Sequence, residues 1–237
     1  MTEVIWAKGF GSTGADTGYG IATDSSNNLY TIGSFSGSVP FGTTTLTSQG
    51  NSDLYITKQD SSGNVIWAKS VPGIDSASTR PIVTDSSGNI YAISNFSGSA
   101  TFGTTTLTSQ GGQDFFVTRL DSSGNVSWAK SFGGTNDDNS YSIASDSSGN
   151  LYITGSFQDS VTFGNTKLTA VGLTDIFVTK LDSSGNVAWA KSFGGISTTS
   201  SDSGKSISTD NNGNIYITGT YRGTKEDPAT FGAFIQE

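Results

Sequence analysis

The chain is built from a repeated unit of 61 residues, and this period constrains the fold more than any other feature. The tryptophans that mark the period are Trp6, Trp67, Trp128 and Trp189. The same offset links Phe41 with Phe102 and Phe163. A fixed internal period is typical of repeat architectures such as solenoids and propellers, in which each repeat is one supersecondary unit.

Each unit contains two segments whose pattern predicts a β-hairpin. Residues 114–132 and 142–157 both place β-branched and aromatic runs on either side of the turn Asp-Ser-Ser-Gly-Asn. An aspartate can cap such a turn with its side chain, and glycine supplies the positive φ that the turn requires. Two hairpins per unit predict one four-stranded antiparallel sheet per unit.

The predicted strands are apolar on both faces. Residues 115–117 read Phe-Phe-Val, and residues 176–178 read Ile-Phe-Val. A sheet with one face in water would alternate apolar and polar residues, so these sheets should be covered on both sides. Repeated four-stranded sheets of this kind predict the blades of a β-propeller. Small residues, as at 20–22, predict the innermost strand, and the tryptophan strand should be the outermost.

The two ends of the chain predict how the last blade is completed. Residues 3–8 read as an outermost strand without a hairpin partner, and residues 232–237 align with the strand at 175–180. Pairing the ends would close a ring and remove two sheet edges that invite aggregation. The sequence therefore predicts an all-β fold, a closed β-propeller of four four-stranded blades. A β-solenoid and a ring completed by a second chain are the alternatives.

The ring predicts one domain over residues 1–237. Its repeat units run over about 9–70, 71–131, 132–192, and 193–237 plus 1–8. The segment 222–232 replaces the usual inserted segment of the repeat and is the least regular stretch of the chain.

Three strings of the chain resemble a known repeat family. DIFVTKLDSSGNVAWAKSFGG, SIASDSSGNLYITGSF and TFGTTTLTSQGG are similar to the bacterial β-propeller repeat proteins labelled SBBP. The resemblance implies four-stranded propeller blades, usually in large secreted or surface proteins of bacteria, and it brings no catalytic residue set. The hairpin LDSSGNVAWAK also resembles the Asp-box turn of sialidase propellers, where the turn is structural.

Composition excludes several classes of function. The net charge is −8, and the 12 Lys and Arg residues do not cluster, so a nucleic-acid partner is not expected. With neither Cys nor His, common zinc and copper sites and Cys- or His-based catalysis are excluded. No apolar run approaches the ~20 residues of a membrane helix, so membrane insertion is not expected.

Location is predicted from the weakly charged, Ser-, Thr- and Gly-rich composition. Such a surface is common in secreted and particle-surface β proteins, so we expect an extracellular, cell-surface or virion location. The first four residues lead straight into a predicted strand, and no signal peptide is expected in this chain.

The long and varied loops should share one face of the propeller, and candidate site residues lie there. In a four-stranded meander the uniform turns line one face, and the connections between blades line the other, where function tends to sit. Aromatic rings beside polar donors would suit sugar recognition, which favours the tyrosines. The predicted ligand-binding residues are Tyr19, Asp75, Arg80, Asn136, Asp137, Asp138, Tyr141 and Asp202.

A calcium ion is a possible ligand of this face. Oxygen donors are abundant, although no segment matches the EF-hand pattern. The nearest candidates are residues 135–139 and 210–214, and the second of these also reads as a variant of the repeated turn. Otherwise no cofactor is expected.

The sequence favours a protein that is not an enzyme. We expect a binding or display module whose loop face contacts a protein or a surface glycan. A structural component of a virion, a tail or another large assembly is the first alternative, and near-identical blades leave homo-oligomers possible. The second alternative is a glycoside hydrolase that uses loop carboxylates, for which the candidates are Asp16, Asp75, Asp137, Asp138 and Asp202.

Overall fold

A computed structural model describes residues 6–74, 81–195, 199–210 and 212–222, together with the backbone of residues 231–235. The described residues form antiparallel β-strands, and no helix occurs among them. Each of the first three repeat units contributes six strands, and the described part of the fourth contributes three.

The strands follow the repeat closely. Unit 1 has β1 (Thr17–Thr23), β2 (Leu29–Phe35), β3 (Ser38–Phe41), β4 (Thr44–Thr47), β5 (Asp53–Gln59) and β6 (Val65–Val71). Unit 2 has β7 (Ile82–Thr84), β8 (Ile90–Phe96), β9 (Ser99–Phe102), β10 (Thr105–Thr108), β11 (Asp114–Leu120) and β12 (Val126–Phe132). Unit 3 has β13 (Asp138–Ser145), β14 (Leu151–Phe157), β15 (Ser160–Phe163), β16 (Thr166–Thr169), β17 (Asp175–Leu181) and β18 (Val187–Phe193). Unit 4 has β19 (Ser203–Thr209), β20 (Ile215–Thr220) and β21 (Phe231–Ile235).

Each unit forms one main antiparallel sheet. The strand orders are β1-β2-β5-β6 in sheet 1, β7-β8-β11-β12 in sheet 2, β13-β14-β17-β18 in sheet 3 and β19-β20-β21 in sheet 4. The remaining strands pair as the short hairpins β3-β4, β9-β10 and β15-β16. The predicted hairpins and the positions of the small-residue and tryptophan strands, at opposite edges of the sheet, are confirmed.

The turn chemistry predicted from the sequence is confirmed in detail. In the β7-β8 turn, Asp85 Oδ1 accepts hydrogen bonds of 2.9 Å from the backbone N–H groups of Ser87 and Asn89. Asp85 Oδ2 accepts from the Asn89 amide at 2.8 Å and from the Tyr91 hydroxyl at 3.0 Å. Gly88 has φ of +76°, a conformation that costs little only for glycine. The aspartates in these turns are therefore structural caps.

Consecutive sheets pack face to face, which explains why their strands are apolar on both sides. Three buried clusters join sheet 1 to sheet 2, sheet 2 to sheet 3, and sheet 3 to sheet 4. Sheet 2 is covered on both faces, and every side chain of β8 is buried. The short hairpins are anchored by Phe41, Phe102 and Phe163, which are buried as the repeat predicts.

The predicted ring closure is not observed among the described residues. Residues 6–10 adopt no strand, and β21 pairs with β20 only. Trp6 instead bonds to the first unit: its indole Nε1 donates to the Ser61 carbonyl at 3.0 Å. That contact fixes Trp6 beside the β5-β6 turn of sheet 1. The other residues of the two predicted closing strands, 3–5 and 236–237, lie outside the described residues.

Candidate functional site

Three inner-edge strands carry a β-bulge at the same place in the repeat. The register shifts between Gly18 and Gly20 in β1, between Ser140 and Ser142 in β13, and between Gly204 and Ser206 in β19. The extra residues are Tyr19, Tyr141 and Lys205. A bulge leaves its extra residue out of the ladder and re-aims its side chain, and bulges are common beside functional sites. We call these three residues the bulge set.

Two members of the bulge set are in direct contact. The Lys205 Nζ lies 3.9 Å from the centre of the Tyr141 ring, which is the geometry of a cation–π interaction. The Tyr141 hydroxyl also lies 3.5 Å from Ser156 Oγ on the adjacent strand β14. A half-buried aromatic ring with a cation above it therefore lies at the inner edge between sheets 3 and 4.

The third member, Tyr19, lines an open groove of about 550 Å³ on the exposed face of sheet 1. Aromatic and aliphatic side chains make up most of the groove, together with a few polar groups. The lining includes Trp6, Phe10, Tyr19, Ile21, Tyr55 and Gln59. The Gln59 amide donates to Thr57 Oγ1 at 3.2 Å, and the Thr57 and Thr31 hydroxyls are 2.7 Å apart.

Two of the predicted site carboxylates are buried, and they stabilise the loops between sheets by accepting backbone hydrogen bonds. Asp138 Oδ2 accepts a hydrogen bond of 2.6 Å from the Gly134 N–H. Asp202 accepts from the backbone N–H groups of Gly195 and Arg222, at 2.8 and 2.6 Å. Both side chains are fully buried, so they do not face a ligand. The prediction that Asp138 and Asp202 line the loop surface is therefore wrong, because backbone donors four and seven residues upstream draw them inward.

Asp16 has the same bracing role in the first unit. Its carboxylate accepts from the Ser12 N–H at 2.7 Å and from the Ser36 N–H at 3.3 Å. Of the five aspartates considered for hydrolysis, three therefore hold loops together. Asp75 lies outside the described residues, as does the predicted site residue Arg80.

The loop between sheets 2 and 3 gathers three aspartates. Asp137 is exposed and accepts the Gln113 N–H at 2.8 Å, and Asn136 beside it is also exposed. Asp114 is buried and accepts the Gln110 N–H at 2.8 Å. Burial raises the pKa of Asp138 to about 7, and the negative charges of Asp114 and Asp137 add to this effect. Burial, together with the charge of Asp137, also raises the pKa of Asp114.

The carboxylates do not form a metal centre within the described residues. No group of three or more acidic side chains there is placed to hold a metal ion. The calcium candidate at 210–214 is a capped turn, in which Asp210 accepts from the Asn212 and Asn214 N–H groups, the Asn214 amide and the Tyr216 hydroxyl. In the other candidate segment, at 135–139, Asp137 and Asp138 bond to backbone N–H groups.

The bulge set was only partly predictable. Tyr19 and Tyr141 were predicted from their position at the start of the inner strands, and both are bulge residues. Lys205 was not among the predicted site residues, although it is equivalent to Tyr19, Arg80 and Tyr141 in the repeat. The preceding loop is three residues longer, so Lys205 lies 64 residues after Tyr141.

The architecture and the comparisons with known proteins agree on the class of this protein. The repeated antiparallel sheets, packed face to face with their first strands adjoining, define a β-propeller repeat protein. The family model SBBP, described as a beta-propeller repeat, matches residues 5–34, 128–156 and 189–220. The three matched stretches confirm the resemblance to SBBP-type repeats that the sequence predicts, and we refer to the main sheets as blades.

Other comparisons add no functional information. None of the curated proteins matches the chain. Among solved structures, a protein of unknown function from Bacteroides caccae is similar, with 10% identity and a TM-score of 0.43. The alignment covers 92% of this chain and 61% of that one, so this chain spans less than two thirds of its length. The described residues contain no helix long and apolar enough to cross a membrane.

Proposed function

We propose that this protein is a non-enzymatic binding module, and that its inner-edge bulge set and neighbouring loops recognise a glycan on a surface. The observation that carries this proposal is the bulge set itself. The same backbone irregularity recurs in three sheets, yet its side chain changes from Tyr19 to Tyr141 to Lys205. Positions with a purely structural role, such as the turn aspartates and the strand tryptophans, keep one residue type in every unit.

The chemistry of the bulge set suits a sugar that carries an anionic group. The flat face of a tyrosine packs against the apolar face of a sugar ring, and polar groups around it fix the orientation. Lys205 brings a positive charge to this edge of a chain whose net charge is −8. Arg80 occupies the equivalent sequence position in unit 2, which adds to the cationic character of this set.

The roles of the carboxylates favour binding over hydrolysis. Hydrolysis of a glycosidic bond needs two carboxyl groups that flank the substrate. Asp16, Asp138 and Asp202 instead bond to backbone N–H groups of their own loops. An anionic glycan would also suit the extracellular or particle surface that the composition predicts.

A glycan-array screen of the intact protein, with calcium and with a chelator, tests the proposal. We expect reproducible binding to acidic glycans that falls at least about tenfold in Tyr141→Ala and Lys205→Gln. Lys167→Gln is the matched control, because Lys167 is exposed on the β15-β16 hairpin, away from the bulge set. Binding that is equal in all four proteins, or no binding to any acidic glycan, would overturn this function. Loss of binding in the chelator alone would assign calcium a part in the site.

A structural role in a large assembly is the second candidate, and one observation favours it. Ile21 and Tyr216, which lie on opposite ends of the array of sheets, are exposed large side chains. Such a component would be found in a fixed ratio to other proteins in purified virions or other particles. A freely soluble protein that is absent from particles in its native source would contradict this role.

A further inference from the structure

Neighbouring sheets meet through a contact that is the same at all three junctions. The second strand of one sheet supplies a tyrosine, and the first strand of the next supplies an isoleucine, to one buried cluster. The pairs are Tyr30 with Ile82, Tyr91 with Ile143, and Tyr152 with Ile207. All six side chains are at most 5% exposed. This pairing therefore shows which surfaces one blade of this chain presents to the next.

A second contact also repeats at each junction. A hydroxyl at the end of one inner-edge strand donates to the equivalent carbonyl of the preceding sheet. The bonds run from Thr84 Oγ1 to Thr23 at 2.7 Å, from Ser145 Oγ to Thr84 at 3.2 Å, and from Thr209 Oγ1 to Ser145 at 3.4 Å. The sheets are thus joined in a continuous series that begins at Thr23 and ends at Thr209.

At the two ends of this series, the surfaces that form the interior junctions are exposed to solvent. Ile21, the equivalent of the buried isoleucines, is 66% exposed, and Tyr216, the equivalent of the buried tyrosines, is 46% exposed. Thr218 and Thr220 lie on the same exposed side of β20 as Tyr216. Sheets 1 and 4 of one chain share no buried cluster among the described residues. Ile21 and Tyr216 are therefore exposed on the two end faces, whereas their equivalents on the interior faces are buried.

The position of Trp6 indicates what kind of sheet would cover the end face of sheet 1. At the interior junctions the tryptophan of one sheet donates to a turn carbonyl of the next, as Trp67 does to Ser122 at 3.2 Å. Trp6 makes the equivalent bond to Ser61, so it holds the place of an outermost-strand tryptophan in a sheet that precedes sheet 1. Sheet 4 is the sheet that shows three strands instead of four in the described part of the chain. A segment carrying Trp6 could therefore supply the missing outermost strand of a sheet 4, beside β21.

We propose that a second copy of this chain covers both end faces. The exposed face of sheet 4 in one copy docks on the exposed face of sheet 1 in the other, and the same contact forms a second time. Two copies would then complete one ring of eight sheets, within the range of 4 to 8 blades typical of β-propellers. Two identical junctions related by a two-fold axis close the assembly and leave no free end face.

The chemistry of the two end faces is complementary. The face of sheet 1 is more polar than its interior equivalents, because Gln59 stands where Leu120 and Leu181 stand in sheets 2 and 3. The face of sheet 4 carries Thr218 where sheets 1 and 2 have Ile32 and Ile93, as sheet 3 carries Thr154 at its own interior junction. Polar terminal faces keep the separate chain soluble. Tyr216 and Ile21 supply the apolar centre of the junction.

The mass of the intact protein in solution is the first test. One chain has a mass of 24.5 kDa, and sedimentation velocity over a range of micromolar concentrations should give twice that mass. A monomer at every concentration would overturn the proposal and would favour closure within one chain. A series of larger masses would also overturn the closed pair.

Charged substitutions locate the contact. Ile21→Lys and Tyr216→Lys each place an unpaired charge at the centre of both junctions, and each should weaken self-association at least about tenfold. Ile66→Lys is the matched control, because Ile66 is 54% exposed on an outermost strand, away from the end faces. Ile21 and Ile66 are exposed in the single chain, so their variants should change the thermal unfolding of the monomer little, whereas Tyr216→Lys also loses the hydroxyl bond to Asp210 and should lower stability modestly. Unchanged association in both end-face variants would contradict the docking.

Crosslinking separates two copies from one closed chain. The protein has no cysteine, so Ile21→Cys and Tyr216→Cys introduce single reactive thiols. When the two variants are mixed, a short bis-maleimide should join them into a covalent pair. The double variant alone would instead give an internal crosslink if the chain closed on itself, and that result would overturn the proposal. The glycan proposal is tested independently, since association does not require a ligand.

Discussion

The indole Nε1 of Trp128 donates a hydrogen bond of 3.2 Å to the carbonyl oxygen of Ser183, which lies in the outer turn of the next blade. The same indole lies over Gly185, where an added Cβ would approach the ring carbons to about 3.0 Å. One tryptophan thus ties two blades together and also requires a glycine in the neighbouring turn. This requirement explains why the turn and the tryptophan recur together at a fixed spacing.

Gly185→Ala should destabilise the protein more than Gly88→Ala. Both glycines have φ of +76°, so both substitutions carry the same backbone penalty of about 1–2 kcal/mol. The Cβ at position 88 would meet open space, whereas the Cβ at position 185 would press on the Trp128 ring. We expect Gly185→Ala to cost at least about 1 kcal/mol more, as measured by urea unfolding. Equal losses in the two variants would show that the tryptophan moves aside freely.

Removal of the turn cap Asp85 should cost more than removal of the equivalent cap Asp121. Both carboxylates accept two backbone N–H groups and an asparagine amide, but only Asp85 also accepts a tyrosine hydroxyl, from Tyr91. Asp85→Ala leaves that hydroxyl without its partner. We therefore expect a loss of about 2–4 kcal/mol for Asp85→Ala and about 1 kcal/mol less for Asp121→Ala.

Tyr91→Phe is the control for the Asp85 comparison. It removes the hydroxyl and keeps the ring, so it should cost only about 1 kcal/mol. Burial opposes ionisation of Asp85, but hydrogen bonds from Asn89, Tyr91 and Ser87 outweigh it and hold the pKa of Asp85 below its usual value. Burial and the nearby Asp85 charge in turn raise the pKa of Tyr91 to about 12. If Tyr91→Phe lost as much unfolding free energy as Asp85→Ala, the hydroxyl bond, and not the capping of the turn, would account for the stabilisation by Asp85.

The stability of the protein should fall as the pH rises from about 4 to about 7, because of Asp138. Its pKa is about 7 in the folded chain and 3.8 without burial, so the folded state holds an extra proton within this window. Stability falls with pH wherever the folded state binds more protons than the unfolded state. Asp114 has a raised pKa as well and contributes in the same direction.

The comparison with Asp138→Asn tests this assignment. An asparagine can still accept the Gly134 N–H through its side-chain oxygen and does not titrate. Urea unfolding at about pH 5 and about pH 8 should show a smaller difference for the variant than for the natural chain. The capped turns do not interfere, because a carboxylate with a lowered pKa loses its stabilising effect only below about pH 4. An equal pH dependence in both proteins would contradict the assignment.

The repeat made the architecture largely predictable, because local rules act in every unit. The turn aspartates, the glycines and the strands that are apolar on both faces carry their own structural signals, so the hairpins and their order were predictable from sequence. Closure of the ring was not, because it depends on where the end sheets lie relative to each other. Residues 6–8 belong to a predicted closing strand, yet residues 6–10 adopt no strand, although Trp6 makes the contact with Ser61 that Trp67 makes with Ser122 of the next sheet.

The roles of the loop residues were less predictable than the sheets. Asp137 and Asp138 are neighbours in a polar loop, and both read as solvated acids. In the structure Asp137 is exposed and Asp138 is fully buried, because the Gly134 N–H and the start of β13 draw it inward. The Gly134–Asp138 bond joins residues only four apart, and Asp16, Asp138 and Asp202 each stand three residues before a bulge residue, so the repeat marks this position but not its burial.

The contact between Lys205 and Tyr141 should be measurable as a coupling energy. The ammonium lies 3.9 Å from the ring centre, and Lys205 is exposed, so the interaction should contribute about 0.5–1 kcal/mol. A double-mutant cycle with Lys205→Met and Tyr141→Leu, followed by urea unfolding, isolates this coupling from the individual effects. The coupling should persist in high salt more than that of an exposed ion pair, because the ring carries no net charge. A coupling of zero would mean that Lys205 does not rest on the ring in solution, and would leave its charge free for a ligand.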